Sequence, residues 1–201
     1  MAGRTLPICQ AWHFKRCGMK SLVHIQRLAA LTIGCAALAS CSSYPPMPAV
    51  KDVDLARFMG DWYVIADIPA WPERNAYNEV ESYVLRRDRK VQTTLRFREG
   101  GFDGKAKTMR PVGVIRPGTG NAVWGMQFIW PFEAEYVIAY LDNNYQRTII
   151  GRSKRDYVWI MARTPHISEA DYENLVSEIR ELGYDPDLLR KVPQHWPKDS
   201  K

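Results

Sequence analysis

From residue 62 to residue 163 the sequence repeats one pattern, a short run rich in β-branched and aromatic residues followed by a cluster of turn formers. The runs are 62–68, 77–86, 91–97, 105–111, 122–129, 136–142, 147–151 and 157–163. Breaks fall at Pro69 to Pro72, Arg87 to Arg89, Glu99 to Gly104, Pro117 to Asn121, Pro131-Phe132, Asp142 to Asn144 and Ser153 to Asp156. Such clusters end strands because glycine supplies unusual φ angles, proline lacks an N–H, and Asn, Asp and Ser bond their own backbone. Short connections between consecutive strands imply antiparallel neighbours. A sheet of this kind either leaves two unpaired edges or closes on itself, and about eight strands close around a space that holds side chains or one small ligand. The pattern predicts an all-β fold, an eight-stranded antiparallel up-and-down barrel.

One helix follows the last strand. Ser168 is placed as its N-cap, with Asp171 three residues on and Glu169 at the positive helix start. Tyr172, Leu175, Val176, Ile179 and Leu182 then recur at helical spacing until Gly183. A one-faced C-terminal helix needs an apolar surface to cover, and the outside of the barrel supplies one. Leu188, Leu189, Val192 and Trp196 mark a further segment that packs on the barrel.

Charge and cysteine belong to the other end of the chain. Residues 1–40 hold Arg4, Lys15, Arg16, Lys20 and Arg27 and no acidic residue, so the formal net charge of +6 falls to about +1 beyond them. Nucleic-acid binding loses its support, since it needs a clustered basic surface on the folded domain. The cysteines are Cys9, Cys17, Cys35 and Cys41, which leaves the domain without a disulfide or a Cys/His metal site. No cofactor is expected.

Lys20 and Arg27 precede an apolar stretch from Leu28 to Ala39, the layout of a secretory signal with Met19 as a second possible start. The stretch is shorter than the ~20 residues that span a bilayer. Leu38-Ala39-Ser40-Cys41 resembles the bacterial lipobox. That resemblance makes residues 1–40 a lipoprotein signal peptide and Cys41 the acylated first residue. Ser42 implies delivery to the outer membrane, with the domain in the periplasm. An ordinary secretory signal is the alternative. Residues 41–52 are then a lipidated N-terminus and a Pro-rich tether, 53–196 the domain, and 197–201 a polar tail.

Three motifs carry a family resemblance. Gly60-Asp61-Trp62-Tyr63 opens the first strand, residues 78–85 (NEVESYVL) lie on the second, and residues 155–165 (RDYVWIMARTP) cover the eighth. Their order and spacing are similar to those of lipocalins, closest to the bacterial, apolipoprotein D-like subgroup. The resemblance implies that Gly60, Trp62 and Arg163 form a structural motif, with the Trp across the closed end and the Arg on its outer face. Cation–π contact of that kind is worth roughly 0.5–2 kcal/mol.

Alternation then proposes a cavity wall, because residues two apart share a strand face. With Arg163 pointing inward, Met161, Trp159 and Tyr157 follow toward the mouth, and Trp124, Met126 and Phe128 alternate on the fifth strand. Tyr83 takes a similar position on the second. These seven are the candidate ligand contacts, Trp159 foremost; simple core packing is the alternative for each. Glu79/Glu81 and Glu133/Glu135 read as solvated strand-edge pairs. No nucleophile elbow, phosphate loop or catalytic constellation is present in the sequence. The expected function is therefore non-enzymatic: binding, storage or transport of a lipid, a fatty acid or lysophospholipid, by a membrane-tethered monomer or homodimer. An envelope interaction protein with a packed barrel is the alternative, and a lipid-modifying enzyme the third.

Overall fold

The computed structural model describes residues 44–196. The segment expected to be a signal peptide, and Cys41, lie outside the described residues.

A short helix α1 (Leu55–Phe58) leads into β1 (Gly60–Ile68), β2 (Ala76–Leu85), β3 (Val91–Glu99), β4 (Lys105–Met109) and β5 (Val112–Ile115). β6 (Val123–Ile129), β7 (Phe132–Leu141), β8 (Arg147–Gly151) and β9 (Val158–Ala162) complete the wall. The main helix α2 (Glu169–Glu181) and a two-residue strand β10 (Arg190–Lys191) follow. Each strand pairs antiparallel with its neighbour, and β9 returns to β1 through Tyr63↔Ala162 and Val64↔Met161. The barrel is closed.

Its fourth stave is broken where the sequence suggested one run from 105 to 111. β4 pairs with the upper part of β3 and β5 with its lower part, Val91↔Gly113 and Gln92↔Val112. Pro111 stands at the break, where it cannot donate a ladder hydrogen bond. Its carbonyl still accepts from the Thr93 N–H at 3.0 Å, which carries the pairing across the gap. A second irregularity sits at Asn78, whose φ of +49° accompanies a bulge between Tyr77 and Val80. The bulge shifts the facing of β2, so that Glu79, Glu81 and Tyr83 turn inward while Tyr77 does not.

β2 pairs with β1 only from Gly60 to Tyr63. Beyond that, β10 takes the freed edge through Ala66↔Lys191 and Asp67↔Arg190, so the tail packs on the barrel as the sequence suggested.

The helix begins as the capping residues indicate: the Asp171 N–H donates to Ser168 Oγ at 3.1 Å, and Ser168 Oγ–H donates to Asp171 Oδ2 at 2.8 Å. Leu175, Ile179 and Leu182 cover the outward-facing Ala66, Val137, Ile149, Val158 and Ile160. The sheet thus has a packed outer face on the helix side and a separate packed interior.

The interior is densest at the end where β1 begins. Trp62 is buried, its Nε1–H donates to the Phe58 carbonyl at 2.8 Å, and the Arg163 guanidinium lies 3.8 Å from the Trp62 ring centroid. Arg163 also donates to the carbonyls of Arg57 (2.7 Å), Phe58 (3.0 Å) and Asp61 (2.8 Å), so one side chain caps α1 and ties it to β1. Gly60 has a φ of +95°, a conformation that suits glycine, and any Cβ there would meet Arg163 Nη1 at 3.4 Å. That end of the barrel is shut.

Candidate ligand cavity

Two layers fill the barrel. The lower one is aromatic: Trp124 stacks on Tyr136 with ring centroids 5.2 Å apart, and Phe58 and Tyr83 meet Trp124 edge-on at 5.7 and 5.8 Å. Such geometries add about 0.5–1.5 kcal/mol per pair to the burial of the rings. Above this floor, toward the open end, lies a cavity of about 270 Å³.

Trp159, Tyr157, Met126 and Phe128 line that cavity. Tyr83, Trp124 and Met161 are not part of its lining; they are fully buried in the layer beneath. The reason is depth. Alternation tells which face of a strand a residue occupies but not how far down the barrel its neighbours have already filled the space. Leu95, Met109, Pro111, Ala134 and Tyr136 complete most of the apolar wall, with Ala70 and Pro72 from the β1–β2 loop at the mouth.

The polar groups of the wall were not expected there. Glu73, Glu81, Glu135 and Thr93 line the cavity, and Glu79 is buried close by. The reading of Glu79 and Glu81 as solvated is therefore corrected. A signal was available: once Tyr83 is placed inward, alternation along β2 sends Glu81 and Glu79 inward with it. Glu73 accepts from Trp159 Nε1–H at 2.9 Å, Glu81 accepts from the Tyr83 hydroxyl, and the Tyr83 and Tyr136 hydroxyls lie 2.5 Å apart. Glu79 makes no side-chain hydrogen bond to the protein.

Burial governs the charge of these groups. It raises Glu73 to about 8 and Glu81 to about 7, and holds Glu79 well above the usual carboxylate range, with the neighbouring carboxylates adding to the rise for Glu73 and Glu79. Asp67 is raised only to about 6, its burial partly offset by Arg190, which grips it through Nε–Oδ1 (3.2 Å) and Nη2–Oδ2 (2.9 Å). One arginine pairs with one carboxylate, and the others are relieved by keeping a proton. Near neutral pH Glu73 is therefore mostly protonated and Glu81 is close to its midpoint.

This arrangement has a stability consequence. Between the unfolded value near 4.5 and the folded values of about 7 and 8, the native state binds more protons than the unfolded chain, so stability falls as pH rises through that window. The shift of Glu81 alone corresponds to a loss on the order of 3 kcal/mol. Chemical denaturation at pH 5 and pH 8 is expected to show a less stable domain at the higher pH, and Glu79→Gln with Glu81→Gln to flatten the difference. Wild-type stability that increases over that interval would refute the assignment.

One cation reaches the mouth. Arg152 lines the cavity, pairs with Asp156 at 3.2 Å, and has a buried Nε without a hydrogen-bond partner in the protein. Tyr184 holds its backbone, accepting from the Arg152 N–H at 2.7 Å and donating to the Tyr157 carbonyl at 2.9 Å. Arg74 lies in a side groove with Trp71, and Arg116 is paired with Glu133. Among the described residues, no group of three His, Cys, Asp or Glu is arranged to hold a metal ion.

Comparison with known proteins places this architecture. The family model described as a Lipocalin-like domain matches residues 53–194. Temperature-induced lipocalin-1 of Arabidopsis thaliana is 31% identical over 160 residues, covering 74% of this chain and 83% of that protein. Outer membrane lipoprotein Blc of Escherichia coli (strain K12) is 28% identical over 170 residues, covering 79% and 90%. Among solved structures, insecticyanin from the tobacco hornworm Manduca sexta aligns with a TM-score of 0.60 at 16% identity, over 77% of this chain and 87% of that one, a likeness of fold alone.

Proposed function

Because this chain belongs to the lipocalin family, whose members bind or carry small hydrophobic ligands, we propose that it holds one acyl-chain lipid, a fatty acid or lysophospholipid, in the cavity above Trp124. We further propose that it is an outer-membrane lipoprotein of the periplasm, anchored through an acylated Cys41. The observation that carries the ligand reading is a largely apolar cavity whose wall includes the buried carboxyls of Glu73 and Glu81, the Glu135 carboxyl and a single arginine, Arg152. An acyl chain entering it gains about 0.8 kcal/mol per buried CH₂ before the costs of association. The volume of about 270 Å³ lies at the small end of ligand sites and suits one slender chain. An anionic head group is left at the mouth, where the Arg152 guanidinium lines the wall. Carriage is the activity proposed, in keeping with a family of ligand-binding proteins. The outer-membrane assignment draws on the lipobox-like Cys41 and on the relatives named as outer membrane lipoproteins.

Native mass spectrometry of the purified protein with fatty acid and lysophospholipid tests the ligand. A stoichiometric lipid adduct is expected, and its failure to form with any acyl lipid would sink the proposal. Trp159 gives an optical signal, since its indole faces the cavity from β9. Lipid is expected to quench or shift tryptophan emission, and Trp159→Ala to remove more of that response than Trp196→Phe. Arg152→Glu is expected to weaken a fatty acid roughly tenfold, the loss of about 1.4 kcal/mol from a charge-assisted contact. A neutral monoacylglycerol should bind as before. Equal losses for both would remove Arg152 from the head-group role.

A further inference from the structure

The apolar surface of the described domain is concentrated at the open end. β6 and β7 close there in a tight hairpin, Ile129↔Phe132, and Ile129, Trp130 and Phe132 are 73%, 81% and 76% exposed. Phe128, 54% exposed, continues this strip into the cavity wall. On the β1–β2 loop at the same end, Trp71 is 75% exposed, next to Pro72, which lines the cavity. Exposed large apolar groups grouped in this way mark an interaction surface rather than ordinary scatter. Trp beside Phe and Ile is the composition of a segment that sits at a lipid–water boundary.

The path of the N-terminal segment names the occupant. Tyr44 is exposed, whereas Met47 is buried against Gly151 and Tyr184, and its N–H donates to Ser153 Oγ at 3.0 Å. Arg155 donates to the Pro45 carbonyl. Ser153 is in turn held by Glu135 of β7, through its N–H at 2.6 Å and its Oγ at 2.8 Å. Ser153 and Arg155 belong to the β8–β9 connection, which is at the open end, so the chain joins the barrel beside the mouth and not beside Trp62. From there it runs down the wall, the Val50 N–H donating to Ile138 and the Val53 N–H to Gly120.

Cys41 precedes Tyr44 by three residues. Fully extended, that reaches about 10 Å, while the strands of the wall measure roughly 30 Å from end to end at about 3.3 Å per residue. A bilayer holding an acylated Cys41 is thus within reach of the mouth and out of reach of the closed end. We propose that the open end is a membrane-docking face: the hairpin tip and Trp71 seat in the lipid surface that holds Cys41, and the cavity opens directly onto the bilayer. The proposal rests on the anchored-lipoprotein reading for its orientation and on the aromatic patch for its contact.

Vesicles of phosphatidylethanolamine and phosphatidylglycerol with brominated acyl chains, carrying the reconstituted full protein, provide the test. The mass of the same preparation reports acylation of Cys41 separately. Bromolipid is expected to quench tryptophan emission; Trp130→Phe and Trp71→Phe should each remove a large share of the quenching, and Trp196→Phe, which alters a residue packed on Tyr63, should leave it intact. An acylated protein whose quenching is unchanged by Trp130→Phe and Trp71→Phe overturns the docking face while the anchor stands. If Cys41 is not acylated, the anchor reading fails, and loss of quenching in the two variants with added vesicles still supports the face. Shielding of Trp130 in a dimer, with no bromolipid quenching, assigns the patch to a second copy and also overturns it.

Discussion

Trp62→Ala is expected to destabilise the domain by about 3–5 kcal/mol, the range for removing a large aromatic from a well-packed core. The site has little freedom to collapse. Trp62 is completely buried, stands 5.1 Å from the Phe58 ring, and donates its indole N–H to the Phe58 carbonyl. Loss of the ring also leaves the Arg163 guanidinium without the surface it covers. For a domain of about 150 residues, each kcal/mol lowers the melting temperature by roughly 2–4 °C, so a decrease of roughly 6–20 °C is expected by calorimetry. Arg163→Ala should destabilise less, since its guanidinium is partly solvated, but by more than a surface arginine, because the carbonyls of Arg57, Phe58, Asp61 and Tyr145 each lose a donor. A melting temperature unchanged in Trp62→Ala would mean that the closed end contributes nothing to the fold's stability.

The other large effect concerns binding. Ala134 lines the cavity from β7, opposite Met126, and is only partly buried. Ala134→Trp places an indole into a space of about 270 Å³ from a strand position that the fold already leaves small. The substituted protein is expected to keep its far-ultraviolet spectrum and melt within a few degrees of wild type, while affinity for an acyl lipid falls at least tenfold, about 1.4 kcal/mol or more. Undiminished affinity would move the ligand out of this cavity. Because Ala134 lies above the floor formed by Trp124 and Tyr136, the substitution separates cavity filling from loss of core packing.

These two substitutions probe different levels of organisation, and the sequence was informative to different degrees about each. Strand count, helix position and closure were legible from turn chemistry and periodicity, because each is a local preference repeated often enough to be unambiguous. Ser168 and Asp171 announced the start of α2 for the same reason. The motif residues Gly60, Trp62 and Arg163 came from resemblance, and their meeting requires β1 and β9 to be adjacent, which only barrel closure provides.

The cavity was less legible. Alternation assigned Trp159, Tyr157, Met126 and Phe128 to the inner face, where they line the cavity, and equally assigned Tyr83, Trp124 and Met161, which lie beneath it. Periodicity has no depth coordinate. The Glu79/Glu81 pair illustrates a second limit, since a charged pair on a strand is ordinarily solvated and its burial here depends on the protons it retains. Arg152 illustrates a third. Nothing around it in the sequence distinguishes it from Arg155, and only the loop held by Tyr184 turns it to the mouth.

The sequence by itself thus determined the class of fold, the helix that covers one side of it, and the nearly balanced charge of the domain beside a basic N-terminal stretch. It could do so because strand, turn and cap preferences act over a few residues. Tertiary structure alone decided how much of the barrel is filled, which carboxyls go without a counter-charge, and that the N-terminal segment joins at the mouth. Those features depend on groups distant in sequence sharing a small volume, where desolvation and packing outweigh any local preference.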